Sequence, residues 1–140
     1  MNEVVIGITT ADPLASLVTH ETSQNISRMQ RLSQHLINQQ SYFPLFPTGP
    51  NVSSDLGQMK RTRMPCTPDV LIVPSKLSYF AKDVSGCVVI NSCSLAKGTT
   101  GGTFASISVK PVARETVEGQ ADLEKAREVN KRCVVEVKRI

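Results

Sequence analysis

The chain has 140 residues, enough for one domain and too few for two ordinary ones. Hydrophobic residues are 40%, charged residues 20% and aromatic residues 4%, with no Trp, so the core has to be aliphatic. The net charge of +4 and pI near 9.0 permit an acidic or nucleic-acid partner. The charge is spread, and Lys60, Arg61 and Arg63 form the one dense basic cluster, read first as a solvated loop.

Other classes are disfavoured by pattern. No basic segment leads into an apolar one at the start, so no secretory signal is read. No apolar run approaches the roughly 18 residues of a membrane span. Cys66, Cys87, Cys93 and Cys133 form no C-x-x-C pair, which argues against a zinc ribbon or a thioredoxin-like site. Reduced thiols inside a cell are the expectation. Asn25-Ile26-Ser27 and Asn51-Val52-Ser53 match the glycosylation sequon, and without a secretory route they read as chance.

In chain order, Val4-Val5-Ile6-Gly7-Ile8 reads as a strand buried on both faces of a parallel or mixed sheet. Asp12-Pro13 starts a helix, with Asp12 as N-cap, Pro13 at the first helical position, and Leu14, Leu17 and Val18 inward. Asn25 opens a longer helix through about Gln40, striped by Ile26, Met29, Leu32 and Leu36. Tyr42 to Pro47 is an extended segment pinned by aromatic rings. Residues 48–68, punctuated by Gly and Pro, read as a long surface loop.

Val70-Leu71-Ile72-Val73 is a second buried strand ended by Pro74, and Ser75 caps a short helix carrying Leu77, Phe80 and Val84 inward. Gly86 turns the chain into a third strand, Cys87-Val88-Val89-Ile90. A Gly-rich connection, Gly98 to Gly102, leads to Thr103–Val109, where alternation leaves one face wetter and Pro111 ends the strand. Residues 112–132 form a polar excursion, and Cys133 to Val137 is a closing strand antiparallel to Thr103–Val109.

Catalytic chemistry finds few groups. The chain holds two histidines, His20 and His35. His35 lies roughly 110° from the centre of the apolar stripe, a surface position, taking about 100° per residue. His20 sits at a helix end, where the dipole favours its charged form. Asp12, Asp69 and Asp83 show no spacing that pairs them, and no G-x-S-x-G elbow is present. Cys87 reads as an inert core thiol. Lys97 to Thr103 superficially resembles a phosphate loop, but its glycines precede a strand and no Lys-Ser/Thr follows the last of them.

Residues 67–109 carry a further pattern: Thr67-Pro68-Asp69-Val70-Leu71-Ile72-Val73-Pro74-Ser75-Lys76-Leu77, then Val88-Val89-Ile90-Asn91, Leu95-Ala96-Lys97-Gly98 and Gly101-Gly102-Thr103-Phe104-Ala105. With Ser41 to Pro47, Gly7 to Asp12 and the terminal Val134 to Ile140, it resembles the C-terminal end of the B subunit of DNA polymerase alpha. That family joins an OB domain to a calcineurin-like phosphoesterase domain whose active site is lost. The resemblance implies an α/β fold, the C-terminal part of an inactive phosphoesterase domain, with a mixed β-sheet and flanking helices. The OB domain and the first half of the phosphoesterase domain lie outside 1–140, so the chain reads as a fragment, a truncated gene model or a short isoform.

Active phosphoesterases place a Gly-His-x-His-type metal motif after the strand equivalent to Val70–Val73, where this chain has Pro74-Ser75-Lys76-Leu77. The resemblance therefore implies a nuclear, non-catalytic accessory subunit without metal or cofactor. Its partners would be the C-terminal domain of the polymerase catalytic subunit and, through the complex, primase, with DNA contacted at most indirectly. Two departures stand out. The family has Asn-Pro-Gly where Asn91-Ser92-Cys93 stands, and the 112–132 excursion is longer than the pattern leads one to expect. Two other readings compete: a small metal-dependent phosphoesterase using His20 and a nearby Asp, and a basic nucleic-acid-binding module using Lys60, Arg61 and Arg63. Tyr79, Phe80 and the Tyr42–Phe46 segment are candidate partner contacts, although such side chains are more often core.

Overall fold

A computed structural model describes residues 4–22, 27–49, 52–111 and 128–140. Its centre is a mixed sheet of four strands, β1 (Ile6–Ile8), β2 (Val70–Ile72), β3 (Phe80–Val84) and β4 (Cys87–Asn91). Their order is β1-β2-β4-β3, parallel between β1, β2 and β4 and antiparallel between β3 and β4. The fold is mixed α/β with flanking helices, as the sequence led one to expect.

The apolar runs of β2 and β4 are continuous because both sheet faces are covered. On one face Leu71, Val73, Cys87 and Val89 meet helices α1 (Pro13–Val18) and α2 (Arg28–Asn38) through Leu14, Leu17, Leu32, Leu36 and Ile37. On the other, Val70, Val88 and Ile90 meet Val129 and the inner side of a two-stranded ribbon, Ala105, Val109, Cys133 and Val135. That ribbon is β7 (Thr103–Val109) against β8 (Cys133–Arg139), antiparallel in the register Thr103↔Arg139 to Val109↔Cys133. The antiparallel closing pair matches the alternation in its sequence.

Asp12 caps α1 as its position dictates, its Oδ1 accepting the Ala15 N–H at 2.9 Å, with Pro13 following. The longer helix starts at Arg28 with Ser27 at its N-cap, and the assignment of Asn25 lies outside the described residues. It ends at Asn38, before Gln40, which takes a positive φ of 45°. Glu21, between the helices, clamps them together. It accepts from Arg31 Nε at 2.7 Å and Nη2 at 3.3 Å, with Arg28 Nε at 3.8 Å, while its own side chain keeps only 5% exposure.

Three expectations need correction. First, residues Phe80–Val84 are a strand and not a helix. The spacing of Phe80 and Val84 puts both on one face in either geometry, and β3 buries those two while Ala81 and Asp83 face out. The deciding feature is the Ser85-Gly86 link, with φ of 53° and 84°, the two positive values of a tight type I′ hairpin. Asp83 Oδ1 accepts the Gly86 N–H at 2.9 Å and fixes that turn. Ser75 does accept the Leu77 N–H at 3.2 Å, a cap-like bond that no helix follows.

Second, β1 is not buried on both faces. Among the described residues it is an edge strand with one neighbour, and Val5, Ile6 and Ile8 are 45%, 47% and 63% exposed. Third, the large apolar groups of these segments divide. Tyr42 and Leu45 pack on the core, whereas Phe46 is 68% exposed; Phe80 is buried, whereas Tyr79 is 58% exposed.

Residues 48–68 include a 3-10 helix, Leu56–Thr62, capped by Asp55, followed by the buried Met64 and Pro68. The Gly98-Gly102 connection forms a small hairpin of β5 (Ala96–Lys97) and β6 (Thr100–Gly101). Of the polar excursion, residues 112–127 lie outside the described residues; α3 (Val129–Arg132) follows and buries Val129 in the core. No helix among the described residues is long and apolar enough to cross a membrane.

Candidate functional site

In open α/β sheets, reacting groups gather in the crevice beyond the carboxyl ends of the parallel strands. Here three loops leave those ends: Thr9 to Asp12 after β1, Val73 to Tyr79 after β2, and Ser92 to Leu95 after β4. Two polar side chains tie them together. Asp12 uses one carboxylate oxygen on its helix cap and the other to accept the Lys76 N–H at 2.9 Å. Asn91, fully buried, accepts from the Ser75 N–H at 3.1 Å and the Cys93 N–H at 2.9 Å through Oδ1. Its Nδ2 donates to the carbonyls of Leu77 and Ser78, each at 3.2 Å. Oδ1 thus takes two bonds and Nδ2 gives two, so this buried amide is satisfied on both sides. Thr103 adds a bond from Oγ1 to the Ser92 carbonyl at 2.5 Å.

What the crevice can do chemically is limited by what these groups already do. The other aspartates are engaged as well. Asp69 Oδ2 accepts the Val5 N–H at 2.7 Å, and Asp83 binds the Gly86 N–H and, at 2.6 Å, Asn130 Nδ2. The histidines lie elsewhere. His20 Nδ1 sits 3.0 Å from the Ser16 carbonyl and 2.9 Å from Thr19 Oγ1 at the end of α1, and His35 is exposed in the last turn of α2. Among the described residues no group of three or more His, Cys, Asp or Glu side chains is placed to hold a metal ion. The geometry does not bring His20 to any of the three aspartates as a hydrogen-bonded pair among the described residues.

The thiols follow burial. All four cysteines are free. Burial pushes the Cys87 thiol up to about 12, helped by the negative charges of Asp69 and Asp83. Burial also raises Cys133. Neither is an activated nucleophile. Glu21 moves the other way, held below the usual carboxylate range mainly by its hydrogen bond from Arg31.

The basic cluster lies at the end of the 3-10 helix Leu56–Thr62 and just beyond it. Lys60 and Arg61 are in its last turn and Arg63 follows it; all three are exposed. Sequence reading found these residues. It did not find the role of Asn91, whose signal was an Asn closing an apolar run before Ser92-Cys93.

Comparison with known proteins shows the family. Residues 1–82, which hold β1, α1, α2 and β2, match the family of the DNA polymerase alpha/epsilon B subunit. The chain belongs to that family. Similar relatives are the DNA polymerase alpha B subunit of Rattus norvegicus, 37% identical over 134 residues, 92% of this chain and 22% of the relative; that of Caenorhabditis elegans, 37% identical over 123 residues, 84% of this chain and 21% of the relative; and that of Schizosaccharomyces pombe, 34% identical over 125 residues, 80% of this chain and 21% of the relative. The chain thus spans about a fifth of the length of these relatives. Similarity to the rat protein over 92% of the chain reaches past residue 82, into its second half.

Proposed function

We propose that this chain serves as part of a non-catalytic accessory subunit of DNA polymerase alpha–primase, acting in the nucleus during initiation of DNA replication. Its work is association. It helps hold the C-terminal domain of the catalytic subunit and so supports primer synthesis, with primase reached through the assembly. The observation that carries this reading is the similarity to the DNA polymerase alpha B subunit across most of the chain.

The crevice supports it from the chemical side. Asp12 and Asn91 spend their polar atoms on backbone N–H and C=O groups of the neighbouring loops. A carboxylate so engaged is a structural clasp rather than a ligand or a base. The fold is read as the C-terminal part of an inactivated phosphoesterase-like domain. The open β1 edge, with Ile6 and Ile8 exposed, is a surface that a further strand of a longer subunit would cover.

The test is co-expression of a full-length subunit carrying this sequence with the polymerase catalytic subunit, then co-purification and cross-link mapping. Cross-links from residues 1–140 to the catalytic subunit's C-terminal domain are expected. A subunit that purifies alone would count against the proposal.

A further inference from the structure

We propose that the face formed by the Phe43–Phe46 segment and the 3-10 helix Leu56–Thr62 is a docking site for an acidic, amphipathic peptide segment of a partner protein. The proposal does not rest on the accessory-subunit reading, and its test does not involve the catalytic subunit.

Two adjoining grooves, of about 300 and 330 Å³, open on this face and share Phe43, Leu45, Met59 and Thr62 in their walls. Phe46, at 68% exposure, lines one groove and Met59, at 39%, lines both, and nothing in the described structure covers them. Leu56, at 66%, is exposed in the same 3-10 helix as Met59. Singly exposed apolar residues are ordinary; several beside one pair of grooves mark an interaction surface.

The charge pattern says what kind of segment fits. Lys60 and Arg63 line one groove and Arg61 the other. No carboxylate among the described residues lies within ion-pair distance of any of the three. The acid on this face, Asp55, has Oδ1 committed to the Gly57 N–H at 2.8 Å. Among the described residues, three cations thus face one carboxylate around an apolar cleft. A complementary ligand places aliphatic or aromatic anchors in the grooves and carboxylates outward against Lys60, Arg61 and Arg63.

A nucleic acid is the weaker match. Strand binding relies on aromatic platforms for base stacking, and here the one strongly exposed ring is Phe46, which shares its groove with Met59. The pliable Met59 thioether suits a peptide side chain.

The test is fluorescence anisotropy with the 140-residue chain and three labelled probes. One is a synthetic peptide with a Leu and a Phe anchor among Glu residues. The second is the same peptide with Gln for each Glu, and the third is oligothymidylate. The acidic peptide is expected to bind saturably in the micromolar range, and the Gln peptide about tenfold more weakly. Charge reversal by K60E, R61E and R63E together should lose about the same factor, and Phe46→Ser or Met59→Ser should weaken the acidic peptide too. Circular dichroism checks that each variant folds; should the triple variant fail, the Glu-to-Gln comparison on the unaltered chain decides. Equal binding of the two peptides, or no saturable binding of the acidic one, overturns the proposal. Tighter binding of oligothymidylate that is indifferent to Phe46→Ser and Met59→Ser also overturns it and assigns the face to nucleic acid.

Discussion

Cys93 donates its backbone N–H to the buried Asn91 side chain at 2.9 Å while holding a φ of 62°. A residue with a Cβ costs roughly 1–2 kcal/mol in that left-handed region, which glycine enters freely. The Asn-Pro-Gly pattern of the resemblance would place glycine here, and the turn has the positive φ that glycine favours with cysteine in it. Cys93→Gly is therefore expected to stabilise the chain by about 0.5–1 kcal/mol, after glycine's extra unfolded-state entropy is subtracted. Urea titration checks it. A loss of stability would show that the Cys93 side chain contributes more packing than its backbone costs.

Gly102 lies where the small β5–β6 hairpin meets β7. An added Cβ would collide with the Ser94 carbonyl oxygen and come within 2.8 Å of the Leu95 carbonyl group. These are backbone atoms, already fixed by the Gly102 N–H to Leu95 and Thr103 N–H to Ser94 bonds at 2.8 and 3.0 Å. Gly102→Ala should cost about 1–3 kcal/mol, the range for forced overpacking. Gly49→Ala, with nothing within 4 Å of its added Cβ, is the control, and thermal melts compare the two.

The Glu21–Arg31 clamp predicts an acid limb. The lowered Glu21 pKa means that its stabilisation is present above the ordinary value of 4.5 and lost as pH falls through the folded-state value. Glu21→Gln should lose on the order of 1–2 kcal/mol at neutral pH, as for a hydrogen bond to a charged group. Its melting temperature should then fall less steeply than that of the parent below pH 4.5. Parallel acid limbs in the two proteins would contradict the clamp.

Cys87 predicts the alkaline counterpart. Its thiol titrates at about 12 when folded against 9.0 in the open chain, so stability is fully present below 9.0 and falls as pH rises toward 12. The slope from this group is about 1.4 kcal/mol per pH unit at most. Cys87→Ala should flatten that decline. Alkylation at neutral pH should modify the exposed Cys66 first and reach Cys87 only on unfolding, read by mass spectrometry.

Much of the fold was legible where local chemistry and tertiary packing agree. Asp12-Pro13 announced α1, and the continuous runs around Leu71 and Val89 announced strands covered on both faces. The β7–β8 pairing followed from alternation. Legibility failed where one spacing serves two geometries: Phe80 and Val84 share a face in a strand as in a helix, and the Ser85-Gly86 turn is what separates them. It failed again at β1, since an apolar run reveals its affinity for a sheet but not how many neighbours it receives. The Asn91 clasp joins backbone groups 13 to 16 residues away, a distance no periodicity records.

The proposed function holds that this chain, whose crevice carboxylate and amide are spent on backbone groups, works by association and not by turnover. Isothermal titration of the catalytic subunit's C-terminal domain into a full-length protein carrying residues 1–140 measures the first, and phosphodiester hydrolysis assayed on the same samples with manganese measures the second. Saturable one-to-one binding without hydrolysis above the buffer rate is the predicted result. Hydrolysis that requires the metal and disappears when His20 is replaced, in a protein that does not bind the catalytic subunit, would contradict it.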